Sequence, residues 1–169
     1  MGSVCLFRRA PDDDAKELLQ RGSRALERRR LDDAISLLER ARQLDPGSTA
    51  ARLNLGAAYH LAGRYSDAIA HFEAVLGAEP ANVTAMVNLA AAENALGHLD
   101  RAVEVLEQAA RANPAHPDVH FNLAVAYARQ GKLEAATSEL ERELAHHPGS
   151  RRAADFLAEL RSRLPKRDA

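Results

Sequence analysis

Residues 49–82 read TAARLNLGAAYHLAGRYSDAIAHFEAVLGAEPAN, and this stretch decides the fold. Leu55, Ala58, Tyr59 and Ala62 recur at helical spacing and predict one apolar stripe. Gly63 follows as a stop, because a residue without Cβ takes positive φ at little cost. Ser66 and Asp67 suit the start of a second helix, since their oxygens accept from its orphan N–H groups. Ala68, Ile69, Phe72 and Val75 or Leu76 form the second stripe, and Pro80 blocks continuation. Gly56 and Ala68 fall where the two helices of such a hairpin would cross, and small side chains there permit close approach.

The same pattern returns along the chain. Pro46, Pro80, Pro114 and Pro148 are 34 residues apart at each step. Small residues keep the step in two columns: Ala34, Ala68, Ala102 and Ala136, then Gly22, Gly56, Ala90 and Ala124. Leu31, Tyr65, Leu99 and Leu133 form another, and Arg21 opens the column that continues as Leu55, Leu89 and Leu123. Gly63, Gly97 and Gly131 repeat likewise, with Arg29 in the first unit.

These columns resemble the tetratricopeptide repeat (TPR) family. The match is carried by Leu55-Gly56, Tyr59, Gly63, Tyr65, Ala68, Phe72 and Pro80, and again by Leu123-Ala124, Tyr127, Gly131, Leu133, Ala136, Leu140 and Pro148. The third unit departs at Glu93, where the family has an aromatic, and the first at Arg21 and Ala25. The large residue usual early in the first helix is replaced by Leu18, Arg52, Met86 and His120. The resemblance implies an all-α, right-handed superhelical solenoid of four helix-turn-helix units plus a C-terminal capping helix. Repeats are expected at about 15–48, 49–82, 83–116 and 117–150 within a domain spanning 12–164. Asp12, Asp13 and Asp14 suit a helix start. Residues 1–11 and 165–169 read as flexible tails. The capping helix is expected over about 150–164, with Ala153, Phe156, Leu157, Leu160 and Leu164 as its apolar face.

Composition narrows the function. The 169 residues carry a formal charge of −1, and only 4% are aromatic. Nucleic-acid binding is not expected, because it needs many phosphate contacts and often stacking rings. Basic clusters are local: Arg28-Arg29-Arg30, Arg151-Arg152 and Lys166-Arg167. A single cysteine, Cys5, excludes a disulfide framework and a thiolate metal cage within one chain. His116 and His120 are four apart, but Pro117 lies between them and no glutamate follows as a metalloprotease helix requires. No phosphate loop, nucleophile elbow or paired acid is legible, so no catalytic residue, metal or cofactor is expected. The chain shows no apolar run of transmembrane length, a cleavable secretory signal is not expected from the short apolar patch Val4 to Phe7, and the arginine-over-lysine bias suits a GC-rich genome. A cytoplasmic bacterial protein is the corresponding expectation.

By resemblance, the first helix of each hairpin lines a concave groove. One column there is Gln20, Asn54, Asn88 and Asn122, an amide per repeat that can pair with a peptide backbone on both its donor and acceptor sides. The residues before them, Leu19, Leu53, Val87 and Phe121, and the column Ser23, Ala57, Ala91 and Val125 form an apolar, shallow floor. The alternative for these is packing between neighbouring repeats. His60 and Asn94 add a polar line. Neither floor nor ladder contains a lysine, which disfavours a clamp for a C-terminal carboxylate. A basic column, Arg30, Arg64, His98 and Lys132, occupies the turns. The expected function is a non-enzymatic adaptor that grips a peptide or helix of a partner protein. The alternative is a structural protein that assembles with itself through its ends or convex face.

Overall fold

The computed structural model describes residues 11–164. They form nine helices and no strand: α1 (Pro11–Glu27), α2 (Leu31–Leu44), α3 (Thr49–Leu61), α4 (Tyr65–Ala78), α5 (Val83–Leu96), α6 (Leu99–Ala112), α7 (Val119–Arg129), α8 (Leu133–His146) and α9 (Arg151–Arg163). The fold is an all-α helical repeat. The tails expected over 1–11 and 165–169 lie outside the described residues, except that α1 already begins at Pro11.

The 34-residue step becomes four hairpins because the turns inside them share one geometry. Gly63, Gly97 and Gly131 have φ of 75°, 87° and 78°, and Arg29 takes the same left-handed conformation at 55°. This lets the N–H of Arg30, Arg64, His98 and Lys132 reach the carbonyls of Ala25, Tyr59, Glu93 and Tyr127, closing each first helix. Arg29 bears the strain that glycine avoids in the other three. Two first helices are capped by side chains: Ser48 Oγ accepts from the Ala51 N–H at 3.2 Å, and Asn82 Oδ1 from that of Ala85 at 2.9 Å. The second helix of repeat two starts at Tyr65, one residue before the expected Ser66. Asp67 there accepts from the Arg64 side chain at 2.7 Å. Helix α7 starts late, at Val119, because Pro114 and Pro117 interrupt the approach to it.

The chain divides after Ala78 into two compact units. In the N-terminal unit, α1 packs on α2, α2 on α3 and α3 on α4. Its core includes the fully buried Leu38, Leu55 and Phe72. Gly56 is what admits the Phe72 ring: a Cβ there would stand 2.4 Å from Phe72 Cε1. Gly22 faces Leu38 in the same way, at 2.6 Å from Cγ. At the same registers the later repeats have Ala90 with Leu106 and Ala124 with Leu140, so only the repeat with phenylalanine combines the bulkiest partner with glycine.

The C-terminal unit packs α5 on α6, α6 on α7, α7 on α8 and α8 on α9. Leu89, Leu106, Val119, Leu140 and Leu160 are its largest fully buried side chains. Helix α9 lays Ala153, Leu157 and Leu160 into a cluster with Ala124, Ala136 and Leu140. Phe156 packs at the margin of that cluster, and Leu164 lies just past the helix end. Each hairpin buries two leucine or phenylalanine side chains, Leu18 and Leu38, Leu55 and Phe72, Leu89 and Leu106, and Leu123 and Leu140, and full burial of one contributes about 1.5–3 kcal/mol.

Candidate functional site

The first-helix faces are built separately in each unit. In the N-terminal unit, Leu19, Gln20 and Ser23 come from α1, and Leu53, Asn54, Ala57 and His60 from α3. Gln20 is exposed; the others are half-buried. Asn54 Nδ2 donates to Ser23 Oγ at 2.8 Å, and that hydroxyl donates to the Leu19 carbonyl at 2.8 Å. The second repeat's amide is therefore held by the first repeat. A primary amide has two donor hydrogens and one acceptor oxygen, so the fixed Asn54 side chain still presents an N–H and a C=O. His60 packs edge-on against Tyr65, with ring centroids 5.3 Å apart.

In the C-terminal unit the face is formed by α5 and α7. Asn88, Ala91, Asn122 and Val125 are half-buried. Asn122 Nδ2 donates to the carbonyl of Asp118, the residue just before α7, at 2.9 Å. Three other residues assigned to the face by sequence are engaged internally. Val87 is buried. Asn94 is buried beneath Arg129, which donates to both its backbone carbonyl and its Oδ1, the latter at 2.7 Å. Phe121 meets Phe156 of α9 at 6.1 Å, and the Arg152 guanidinium lies 4.2 Å over its ring. Arg152 also pairs with Asp118 at 3.3 Å. Helix α9 thus covers the far end of this face and leaves Asn88, Ala91, Asn122 and Val125 as its open part.

The basic turn residues are largely used within the fold. Arg64 lies over the Tyr59 ring at 4.4 Å, Lys132 over Tyr127 at 5.8 Å, and His98 Nδ1 bonds Glu93 at 2.7 Å. Glu93 is buried and also accepts from Arg101 at 3.0 Å, so the family's missing aromatic is replaced by an ionic cluster. Each tyrosine in turn donates to a carboxylate 20 residues earlier: Tyr59 to Glu39 at 3.1 Å and Tyr127 to Glu107 at 2.9 Å. Burial first, and then the hydrogen bond to Glu107, pushes the Tyr127 phenol up to about 12. Tyr59 is raised for the same reasons. Burial acts to raise Glu39, but hydrogen bonds from Arg42 and Tyr59 outweigh it and hold the carboxyl below its ordinary value.

His71 stacks on Tyr59 at 5.4 Å, and burial holds its imidazole below the ordinary range against the opposing pull of Glu39. The unfolded chain takes up a proton on this residue near pH 6.5, whereas the folded chain does so only at lower pH. The His71 contribution is therefore complete above about pH 6.5 and is lost as pH falls toward the folded value. Melting temperature is expected to fall between pH 7.5 and 5.5, and to fall less in His71→Gln. Equal falls in both proteins would remove His71 from the account.

Among the described residues no helix is long and apolar enough to cross a membrane, and no group of three histidine, cysteine or acidic side chains is arranged to hold a metal ion.

Comparison with known proteins agrees with the repeat reading. A family model described as tetratricopeptide repeat matches residues 59–113 and 93–160, and a second of the same description matches 19–83. No curated protein sequence matches the chain. Among solved structures, a thermophilic TPR protein of Thermus thermophilus aligns with TM-score 0.79 at 25% identity, covering 88% of this chain and 82% of that one. The MamA protein of Desulfovibrio magneticus, from its residue 41 on, aligns at 0.78 and 23% identity, over 91% and 87% of the two chains. The first TPR of Spaghetti, solved with the HSP90 peptide SRMEEVD, aligns at 0.65 and 23% identity, over 68% and 91%.

Proposed function

Since the chain belongs to the tetratricopeptide repeat family, we propose that it is a non-enzymatic adaptor that holds a peptide or helical segment of a partner protein on its first-helix faces. One observation carries this reading. Each unit keeps half-buried asparagines, Asn54 in one and Asn88 and Asn122 in the other, beside the small or aliphatic Ala57, Ala91 and Val125. Such a face offers paired donors and acceptors to a peptide backbone while leaving room for small side chains. The same fold carries a peptide in Spaghetti. Each net hydrogen bond contributes about 0.5–1.5 kcal/mol, which makes the grip weak and tolerant of sequence.

The test is peptide display on the immobilised protein, with Asn88→Ala/Asn122→Ala as comparison and light scattering on both samples. The wild type is expected to enrich a shared motif. The double variant should bind it with about 1–3 kcal/mol less free energy, roughly 5- to 150-fold more weakly, at unchanged helicity. Failure of both proteins to enrich a motif, with a mass that rises with concentration, would overturn the adaptor reading in favour of self-assembly.

A further inference from the structure

The first repeat departs from the others in what surrounds its turn cation. In repeats two to four the basic turn residue meets a side chain five residues earlier: Arg64 with Tyr59, His98 with Glu93, Lys132 with Tyr127. In the first repeat that position is Ala25, fully buried and without ring or carboxylate. Arg30 has Asp33 at 3.7 Å and otherwise turns to a cleft of about 470 Å³ between α1 and α2. Arg21, Arg24, Arg28, Asp33 and Ser36 line the same cleft.

The wall is unusual for its place in the repeat. Arg21 occupies the column filled by the buried Leu55, Leu89 and Leu123 in later repeats. Arg21 and Arg24 stand three residues apart on α1, and Arg28 follows four residues on in the turn after it, so like charges crowd together. Glu17 stands 4.0 Å from Arg21 at the rim. Among the described residues no carboxylate lies within ion-pair distance of Arg24 or Arg28, whereas Arg152, Arg161 and Arg163 of α9 all have acidic partners. Four arginines therefore line one concavity in which the lining acid is Asp33.

The chemistry of the occupant follows. Guanidinium forks bind carboxylate and phosphate oxygens bidentately. A single carboxylate would answer one fork. A phosphate monoester carries about −1.5 to −2 charges on three oxygens and answers two or three at once. A single open concavity of this size suits such a group better than a row of carboxylates, which needs an extended track. We propose that this cleft receives a phosphate monoester carried on a side chain of the partner protein. The proposal rests on the adaptor reading, but it uses a different surface from the asparagines.

The experiment is calorimetric titration of the full chain with the blocked tripeptide Gly-phosphoserine-Gly, its Gly-Ser-Gly and Gly-Glu-Gly counterparts, inorganic phosphate and a short single-stranded RNA. The phosphopeptide is expected to bind at least tenfold more tightly than the glutamate peptide and than inorganic phosphate. Arg24→Gln/Arg28→Gln should weaken it tenfold or more. Arg161→Gln/Arg163→Gln, an equal change in charge on α9, should leave it unchanged, and so should Asn88→Ala/Asn122→Ala. Equal binding of the phosphate and glutamate peptides, equal losses in the two arginine variants, inorganic phosphate as tight as the peptide, tighter binding of the RNA, or no binding at all would each overturn the proposal. Loss of phosphopeptide binding alone leaves the display result standing, and loss of the display motif alone leaves the arginine cleft standing, so the two readings fail separately.

Discussion

Phe72→Ala is expected to destabilise the N-terminal unit by about 3–5 kcal/mol, the range for emptying a large aromatic from a packed core. Phe72 is fully buried, and the ring lies against the bare backbone of Gly56. No side chain on α3 at that point can swing in to fill the space. The complementary change is Gly56→Ala, which drives a Cβ to within 2.4–2.8 Å of three ring carbons. Helix propensity alone would favour alanine by nearly 1 kcal/mol. Overpacking of about 1–3 kcal/mol opposes it, and because the ring is enclosed, overpacking is expected to win. Gly56→Ala/Phe72→Leu recreates the alanine–leucine register of the third and fourth repeats. Its loss should be smaller than the sum of the losses in Gly56→Ala and Phe72→Leu alone. Guanidinium denaturation of the four proteins measures this coupling, and a Gly56→Ala variant as stable as the wild type would show that the approach is not close.

The second large effect is expected at Glu139. His120 is 4% exposed, and its Nδ1 donates to Glu139 Oε2 at 2.7 Å. Arg142 adds a bond to Oε1 at 3.2 Å, and the His120 ring stacks on His146 at 5.6 Å. No hydrogen bond reaches His120 Nε2 among the described residues. Glu139→Ala would therefore leave the ring buried with neither nitrogen bonded. Leaving a buried donor without its acceptor costs about 1–3 kcal/mol. Glu139→Gln keeps an oxygen for the Nδ1–H and should restore most of that loss. Thermal unfolding monitored by circular dichroism reads both, and equal losses in the two variants would mean that the hydrogen bond contributes nothing.

The His120–Glu139 pair also shows where the sequence runs out. The columns at 34-residue spacing locate helices, turns and buried positions, because each depends on a residue's own size or conformational freedom. Gly63, Gly97 and Gly131 are legible for that reason. A column does not say which other column a side chain meets. His120 reads as a degenerate large position until Glu139, 19 residues on and across the hairpin, is seen to bond it. Asn94 reads as a polar groove residue, yet its partner Arg129 lies one repeat and one residue further along. Phe121 and Phe156 stand at the same offset of 35. The signal that was present is the five-residue step in the turns, where Tyr59, Glu93 and Tyr127 precede Arg64, His98 and Lys132. Read as pairs, these make Glu93 a matched substitution rather than a lapse. The open asparagines, by contrast, were legible as positions, since an amide repeated on one helical face needs no partner to be noticed.

The most direct test of the adaptor account is hydrogen exchange on the full chain with and without the peptide recovered by display. The account predicts slowed exchange in α5 and α7 around Asn88, Ala91, Asn122 and Val125, with α6 and α8 unchanged. Protection confined to α6 and α8, or absent from α5 and α7, would contradict it.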